Sequence, residues 1–409
     1  MIALPKLVLE LVAQTDRFNR EINRSLSGMH RSINQAATAI RRGAFITIAA
    51  IGLIGTVSAT EYGKFDRALQ KSVAVMGTQG QLLREEMEAT ARSISRNMTI
   101  SSQEAASSFF YLASAGYNAE QALQSIGTVA LFAEAGQFSM ARATELLTDA
   151  QSALGMAIKD INHDLPKMIA LGDVLVKANT LANATTEQFA KSLTSKAGSA
   201  LRLTNKDMYE GVAVLAAYAD QGVKAELAGE RLHIFLRDIQ RANIRNRDAW
   251  KLLGLEVFDA SGKMRHTADI LGQLEKRFAG ASDEEKRMAL QMLGFTDRSI
   301  VATTQLLGLS DAIVDYEKKL KNAAGTMEEV QKKQLENFGS QMVILGNNIK
   351  DGFLELGKTV APILAQVGEA ITGVTEAWIG LPRAIKDVIV AAGLSLVVFS
   401  ALILTVFAV

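Results

Sequence analysis

Histidine is the side chain best suited to moving protons or holding a metal near neutral pH, and the chain has 4 of them: His30, His163, His233 and His266. Each stands far from the others, and no His-Glu-x-x-His spacing sets two on one helical face. Lone histidines of this kind read as surface or packing residues. Asp160 and Asp164 lie beside His163 and raise the question of a cation site. Their spacing lacks the alternating oxygen ligands of a calcium loop, so a polar inter-helix loop is the plainer reading. The paired carboxylates Glu85-Glu86 and Glu284-Glu285 fall in charged helical stretches, where neighbours point to different faces. They read as solvated charge.

With Cys absent, disulfides, thiolate metal sites and cysteine nucleophiles are excluded, while the compartment stays open. No serine sits in a Gly-x-Ser-x-Gly elbow. The 31 glycines form neither a Gly-x-Gly-x-x-Gly turn after a strand nor a phosphate-cradling Gly-x-x-x-x-Gly-Lys-Ser loop. The sequence therefore nominates no catalytic, cofactor-binding or metal-binding residue, and the expectation is a protein that is not an enzyme and uses no cofactor.

What remains is architecture. Hydrophobic residues make up 48% of the 409 positions but aromatics only 6%, and Pro occurs 4 times, which favours helices. Lys and Arg number 44 against 43 Asp and Glu, and the resulting +1 carries no basic excess of the kind that holds nucleic acid. A neutral chain can still line a channel along which DNA slides. The expected fold is all-α: a multi-helix bundle with a long amphipathic N-terminal helix, one small β-hairpin insertion and a C-terminal hydrophobic helix.

Residues 7–42 carry an apolar stripe that includes Phe18, Ile22, Leu26, Met29 and Ile33, with Arg17, Arg20, Arg24 and Arg31 between. This is a solvated face or coiled-coil strand, or a basic amphipathic arm that contacts lipid or the wall of a lumen. Ala44–Thr60 is uncharged but short for a membrane span, and a buried, re-entrant or transmembrane helix fits equally. Residues 1–60 form the first expected region. Residues 61–245 read as a helical core with clear punctuation. Ser101-Ser102-Gln103-Glu104 is a capping-box pattern, Asn118, Ser139 and Thr185 open further helices, and Gly116, Gly136 and Gly155 end them. A weak echo links Glu104…Leu112-Ala113 to Asp207…Leu215-Ala216, each helix ending soon after at Gly116 or Gly222; coincidence of composition accounts for it.

Residues 246–324 read as a helical subdomain. Within it Glu256-Val257-Phe258 and Lys263-Met264-Arg265 flank the turn Asp259-Ala260-Ser261-Gly262, which predicts the hairpin. Residues 325–387 read as amphipathic helices with a stripe through Leu335, Phe338, Met342, Ile344, Leu345, Ile349, Phe353 and Leu356. Val388–Val409 contains no charge over 22 residues, long enough to cross a bilayer. The chain stops inside that run, which predicts a longer polypeptide. Met1–Lys6 lacks the start of a secretory signal, so synthesis and use in the bacterial cytoplasm precede any export.

Several of these segments, taken in order, resemble the core region of the phage tail tape measure (minor tail protein) family. They are Phe65-Asp66-Arg67-Ala68-Leu69, then Ser101-Ser102-Gln103-Glu104-Ala105-Ala106, Leu112-Ala113-Ser114-Ala115-Gly116-Tyr117 and Ala130-Leu131-Phe132-Ala133-Glu134-Ala135. Gly172-Asp173-Val174-Leu175, Ala228-Gly229-Glu230-Arg231-Leu232 and the Leu253–Gly262 element follow, so the likeness spans roughly residues 60 to 310.

The resemblance implies a non-enzymatic virion component packed in the tail tube lumen, whose length sets that of the tail. Implied partners are the tail tube protein, tail assembly chaperones, tail tip or baseplate proteins and further copies of itself. On ejection they include the host inner membrane and viral DNA passing without sequence-specific binding. Implied locations are the virion, the host cytoplasm during assembly and the host membrane during ejection. Fully helical, the chain would span about 600 Å at ~1.5 Å per residue. The competing reading is a pore-forming or membrane-inserting helical toxin, which also joins a helical body to an apolar terminus. A tail-borne wall hydrolase and a plain helical scaffold stand behind it.

Overall fold

A computed structural model of the chain describes residues 44–158 and 160–380. The N-terminal stripe with His30 and the apolar run Val388–Val409 lie outside them. The first helices are α1 (Ala44–Leu82), α2 (Arg84–Asn97), α3 (Ser102–Ser114), α4 (Ala119–Gly136), α5 (Met140–Ala153) and α6 (Ile161–Leu181). Next come α7 (Thr186–Ser192), a π-helical turn (Leu193–Ala197), α8 (Gly198–Leu203), α9 (Met208–Asp220), α10 (Ala225–Arg245) and α11 (Arg247–Leu252). The series closes with α12 (Thr267–Arg277), α13 (Asp283–Met292), α14 (Asp297–Thr304), α15 (Ser310–Lys321), α16 (Thr326–Leu335) and α17 (Phe338–Gly380). The fold is all-α. None of the described helices is long and apolar enough to cross a membrane. Ala44–Thr60 opens α1, which runs on through the charged residues from Glu61.

No strand forms among the described residues, which corrects the expected hairpin. Phe258 and Met264 make one isolated antiparallel bridge. Around it the Asp259 N–H donates to Lys263 O and the Arg265 N–H to Val257 O, both at 2.8 Å. The Asp259 carboxylate accepts the Ser261 and Lys263 N–H groups, so the turn is satisfied locally. His266 then caps α12, and the chain has no residues left to extend a ladder that no third strand supports.

The punctuation signals mostly become caps. Asn118–Gln121 and Thr185–Gln188 are full capping boxes, and Ser139 accepts from Arg142 N–H. Two details differ. At the end of α4 it is Gln137, with φ of 58°, that takes the left-handed conformation; a Cβ on Gly136 would stand 2.1 Å from the Phe138 ring. Ser101 accepts from Glu104 N–H, but the Glu104 carboxylate does not return to Ser101.

The described residues form two compact bodies, 64–352 and a second in which 44–63 stand with 353–380. In the second, Leu354 is buried, and a Cβ on Gly357 would meet Ser58 O at 2.2 Å, so α17 and α1 touch backbone to backbone there.

In the larger body the core is built from Leu69, Phe109, Phe132, Phe189, Tyr218, Phe235 and Trp250. The polar ends of the two amphipathic aromatics are used, as burial demands. Tyr218 Oη donates to Ala302 O at 2.8 Å, and Trp250 Nε1 to Leu293 O at 3.0 Å. The closest crossing is α10 against the π-helical turn. A Cβ on Gly229 would stand 2.1 Å from both Ser192 O and Ser195 Oγ. The Ser192 and Ser195 hydroxyls donate to Ala225 O and Glu226 O at 2.7 and 3.3 Å. The extra residue of the π turn widens one helix where the other has no side chain.

Gly229→Ala has to push the two backbones apart and should cost more than about 2 kcal/mol. Gly127, on the open side of α4 with nothing near its Cβ position, gives the control. Gly127→Ala should stabilise by roughly 0.5–1 kcal/mol through helix propensity alone. Urea unfolding of the two variants checks both signs.

Candidate functional site: buried carboxylates and an outward apolar face

The acidic residues that matter are not those the sequence offers as pairs. In the body 64–352, five carboxylates reach from one helix to free N–H groups at or near the start of another. Glu104 on α3 accepts the Met140 N–H, the first of α5, at 2.8 Å. Asp173 on α6 accepts the Gly325 and Met327 N–H groups, both at 2.8 Å, at the start of α16. Glu210 on α9 accepts the Thr267 N–H and hydroxyl at 2.7 and 2.6 Å, at the start of α12. Glu275 on α12 accepts the Gly308 and Ser310 N–H groups at 2.7 and 3.1 Å, at the start of α15. Glu134 on α4 takes the Thr99 N–H and hydroxyl at 3.1 and 2.7 Å, just ahead of α3.

The physics is the same each time. The first N–H groups of a helix have no intrahelical partner and carry the positive end of its dipole, so an ionised acceptor answers both needs. Here the acceptor comes from another helix and fixes a tertiary joint. Burial still opposes the charge, and it pushes the Asp173 carboxyl above its ordinary range despite the three backbone hydrogen bonds pulling it down.

Glu210 lies at the centre of the densest cluster. Lys206 Nζ is 2.9 Å from its carboxylate, with both side chains almost fully buried. His266 Nε2 lies 3.7 Å from Glu210 and 2.6 Å from Glu317, and Lys321 closes on Glu317 at 2.6 Å. His266 Nδ1 accepts the Ala268 N–H, which puts the ring hydrogen on Nε2, facing Glu317. A histidine between two carboxylates is a proton-transfer set in type, but here each group is already bound to another. The neighbouring cleft, lined by Glu256, Arg265, Asp269, Gln273 and Lys276, contains none of Glu210, His266 and Glu317. The cluster joins α9, α12 and α15.

The other residues raised by the sequence fall into place separately. Asp160 caps α6 through the Asn162 N–H, and Asp164 accepts the Asp160 N–H and the Lys167 ammonium, with His163 at 3.0 Å. The grouping is the start of a helix, and no set of three or more His, Asp or Glu residues suited to a metal occurs among the described residues. His233 stands apart on α10, held below its ordinary range by partial burial and by Arg237 and Lys196. Glu85, Glu86 and Glu284 are exposed, while Glu285 caps its own helix with Ser282. One of the missed carboxylates did leave a mark: Asp173 sits inside the apolar run Leu171–Leu175, where an acid needs a partner.

The start of α17 shows the reverse arrangement. Its polar residues face inward: Asn347 donates to Met98 O and Ile100 O at 3.2 and 3.1 Å, and Asp351 pairs with Arg92 at 2.6 Å. Its apolar stripe faces out, with Phe338 80% exposed and Met342, Leu345 and Ile349 about half exposed.

Glu210→Gln keeps the shape but leaves the buried Lys206 ammonium without a counter-charge. Loss of about 2–4 kcal/mol is expected in denaturant unfolding. Glu104→Gln, which can still accept from Met140 N–H and strands no cation, should cost about 1 kcal/mol.

Comparison with known proteins places this architecture. The family model described as "Phage-related minor tail protein" matches residues 88–294, which holds Glu104, Glu134, Asp173, Glu210 and Glu275. A tape measure protein of Pneumococcus phage Dp-1 is 23% identical over 400 residues, covering 95% of this chain and 34% of that protein. The chain thus spans about a third of the length of this curated relative. No solved structure matches. The matched region takes in half of the chain, and by it the chain belongs to the phage tail tape measure, or minor tail, protein family.

Proposed function

We propose that the chain acts within a phage tail as part of a tape measure protein. In this reading it lies in the lumen of the tail tube, helps set tail length during assembly and is ejected ahead of the DNA to help it cross the host envelope. The observation that carries the reading is the alignment of 95% of the chain with a protein named for that task. The all-helical fold and the near-zero net charge support it, since a neutral helical filler neither grips DNA nor is gripped by it. The partners are those such a location provides: the tube protein around it, chaperones that hold it before the tube closes, and tip or baseplate proteins at its end. Entry into the host membrane rests on the sequence of Val388–Val409 alone.

Two measurements test this. Peptides of the chain should appear in mass spectra of purified tails. A tandem duplication of residues 353–380 adds four whole heptads and, as a helix along the tube, should lengthen tails by about 40 Å at ~1.5 Å per residue in electron micrographs. Infectious particles whose tails lack the peptides, or whose tails stay at their original length with the duplication in place, would overturn the reading.

A further inference from the structure

The start of α17 is built against the usual logic of a surface helix. Of residues 338–352, only Asn347 and Asp351 are buried, and both are polar. α9, of similar length, buries Val212, Val214, Leu215 and Tyr218. A surface helix normally turns its apolar stripe toward the core, yet Phe338, Met342, Leu345 and Ile349 face solvent here. No large apolar side chain of this stretch is buried, so its attachment to the body 64–352 rests on hydrogen bonds and charge.

Those ties gather at the end of α2. Asn347 Nδ2 donates to Met98 O and Ile100 O, where the carbonyls of a finished helix have no partner of their own. Asp351 pairs with Arg92 at 2.6 Å and reaches Arg96 at 3.5 Å. Holding the helix this way has costs. Nothing lies within 4 Å of the Cβ positions of Gly346 and Gly352, so no close approach accounts for two residues that weaken a helix relative to alanine. The Asn348 Oδ1 atom is buried with no hydrogen-bond partner among the described residues, a loss relative to water. The chain on either side is fastened differently. Asp173 and the buried Met327 fix the start of α16, and Leu354 is buried beyond the stretch.

We propose that residues 338–352 are a strap that unwinds as a unit while the rest of the body 64–352 stays folded, uncovering the end of α2. Asn347 and Asp351 are its fastenings. The two glycines lower the cost of unwinding, and solvent gives Asn348 the partner it lacks when the strap is closed. The anchored residues on both sides bring the strap back to the same place. Its opening is set by the fastenings and not by the core, as in a unit of local unfolding. The inference stands on the geometry of α17 and not on the tail assignment.

Amide hydrogen exchange of the full chain, read by mass spectrometry under native conditions, tests this. Peptides from 338–352 should exchange about a hundredfold or more faster than those from α6 and α9. Asp351→Asn, which keeps the shape and removes the charge, should speed exchange in 338–352 by about tenfold or more and leave α6 and α9 unchanged. Gly346→Ala, which favours the wound state, should slow the same peptides by about two- to fivefold. A strap as slow to exchange as α6 and α9, an Asp351→Asn effect spread evenly over the body, or rates that neither substitution moves would sink the proposal.

Discussion

An α-helix begins with N–H groups that nothing in the helix itself can satisfy, and this chain meets that need repeatedly with carboxylates borrowed from other helices. Glu104, Asp173, Glu210 and Glu275 each tie the start of one helix to the flank of another. Many of the buried side chains between the helices are alanines, whose small smooth surfaces give packing little direction of its own. Directional, charge-assisted hydrogen bonds remove that freedom. Lys206, His266 and Glu317 gather around Glu210, and Asp173 and the buried Met327 together fix the start of α16.

The same point explains what could be read from the residues and what could not. Helix starts at Asn118, Ser139 and Thr185 were legible because a local cap acts over three residues. The carboxylate joints act over 33 to 154 residues, and nothing at Glu104 distinguishes a return to Ser101 from a reach to Met140. The hairpin at residues 256–265 looked like a β element because its turn chemistry is genuine. It failed to become one for want of length and of a neighbouring strand. The resemblance to tail proteins, read from roughly residues 60 to 310, encloses the matched region 88–294. The stripe on α17 was visible in the sequence, but its outward direction was not. That depends on Asn347 finding the carbonyls of Met98 and Ile100, contacts across 249 and 247 residues.

The glycine-centred crossing of α10 with the π turn belongs to a different class of constraint. Ser192 and Ser195 donate to carbonyls of the first turn of α10, so the two helices share hydrogen bonds as well as surface. A crossing that tight holds only one register.

The contacts of α17 also define how the body 64–352 bears load. Arg92 lies near its beginning and Asp351 at its end, and the 2.6 Å pair between them closes the whole body into a loop, with Asn347 beside it. A pull on Asp351 is therefore carried directly to Arg92 on α2, joining two stretches of chain far apart in sequence through one ion pair. While the clasp holds, the body travels as one packed object. Behind it on the C-terminal side stand the Gln334 side chain, which donates to Ala135 O at 3.2 Å, and then the Asp173 joint to the start of α16. A pull on the C-terminal side of the body would meet these ties one after another, as a row of separate fastenings and not as one seam.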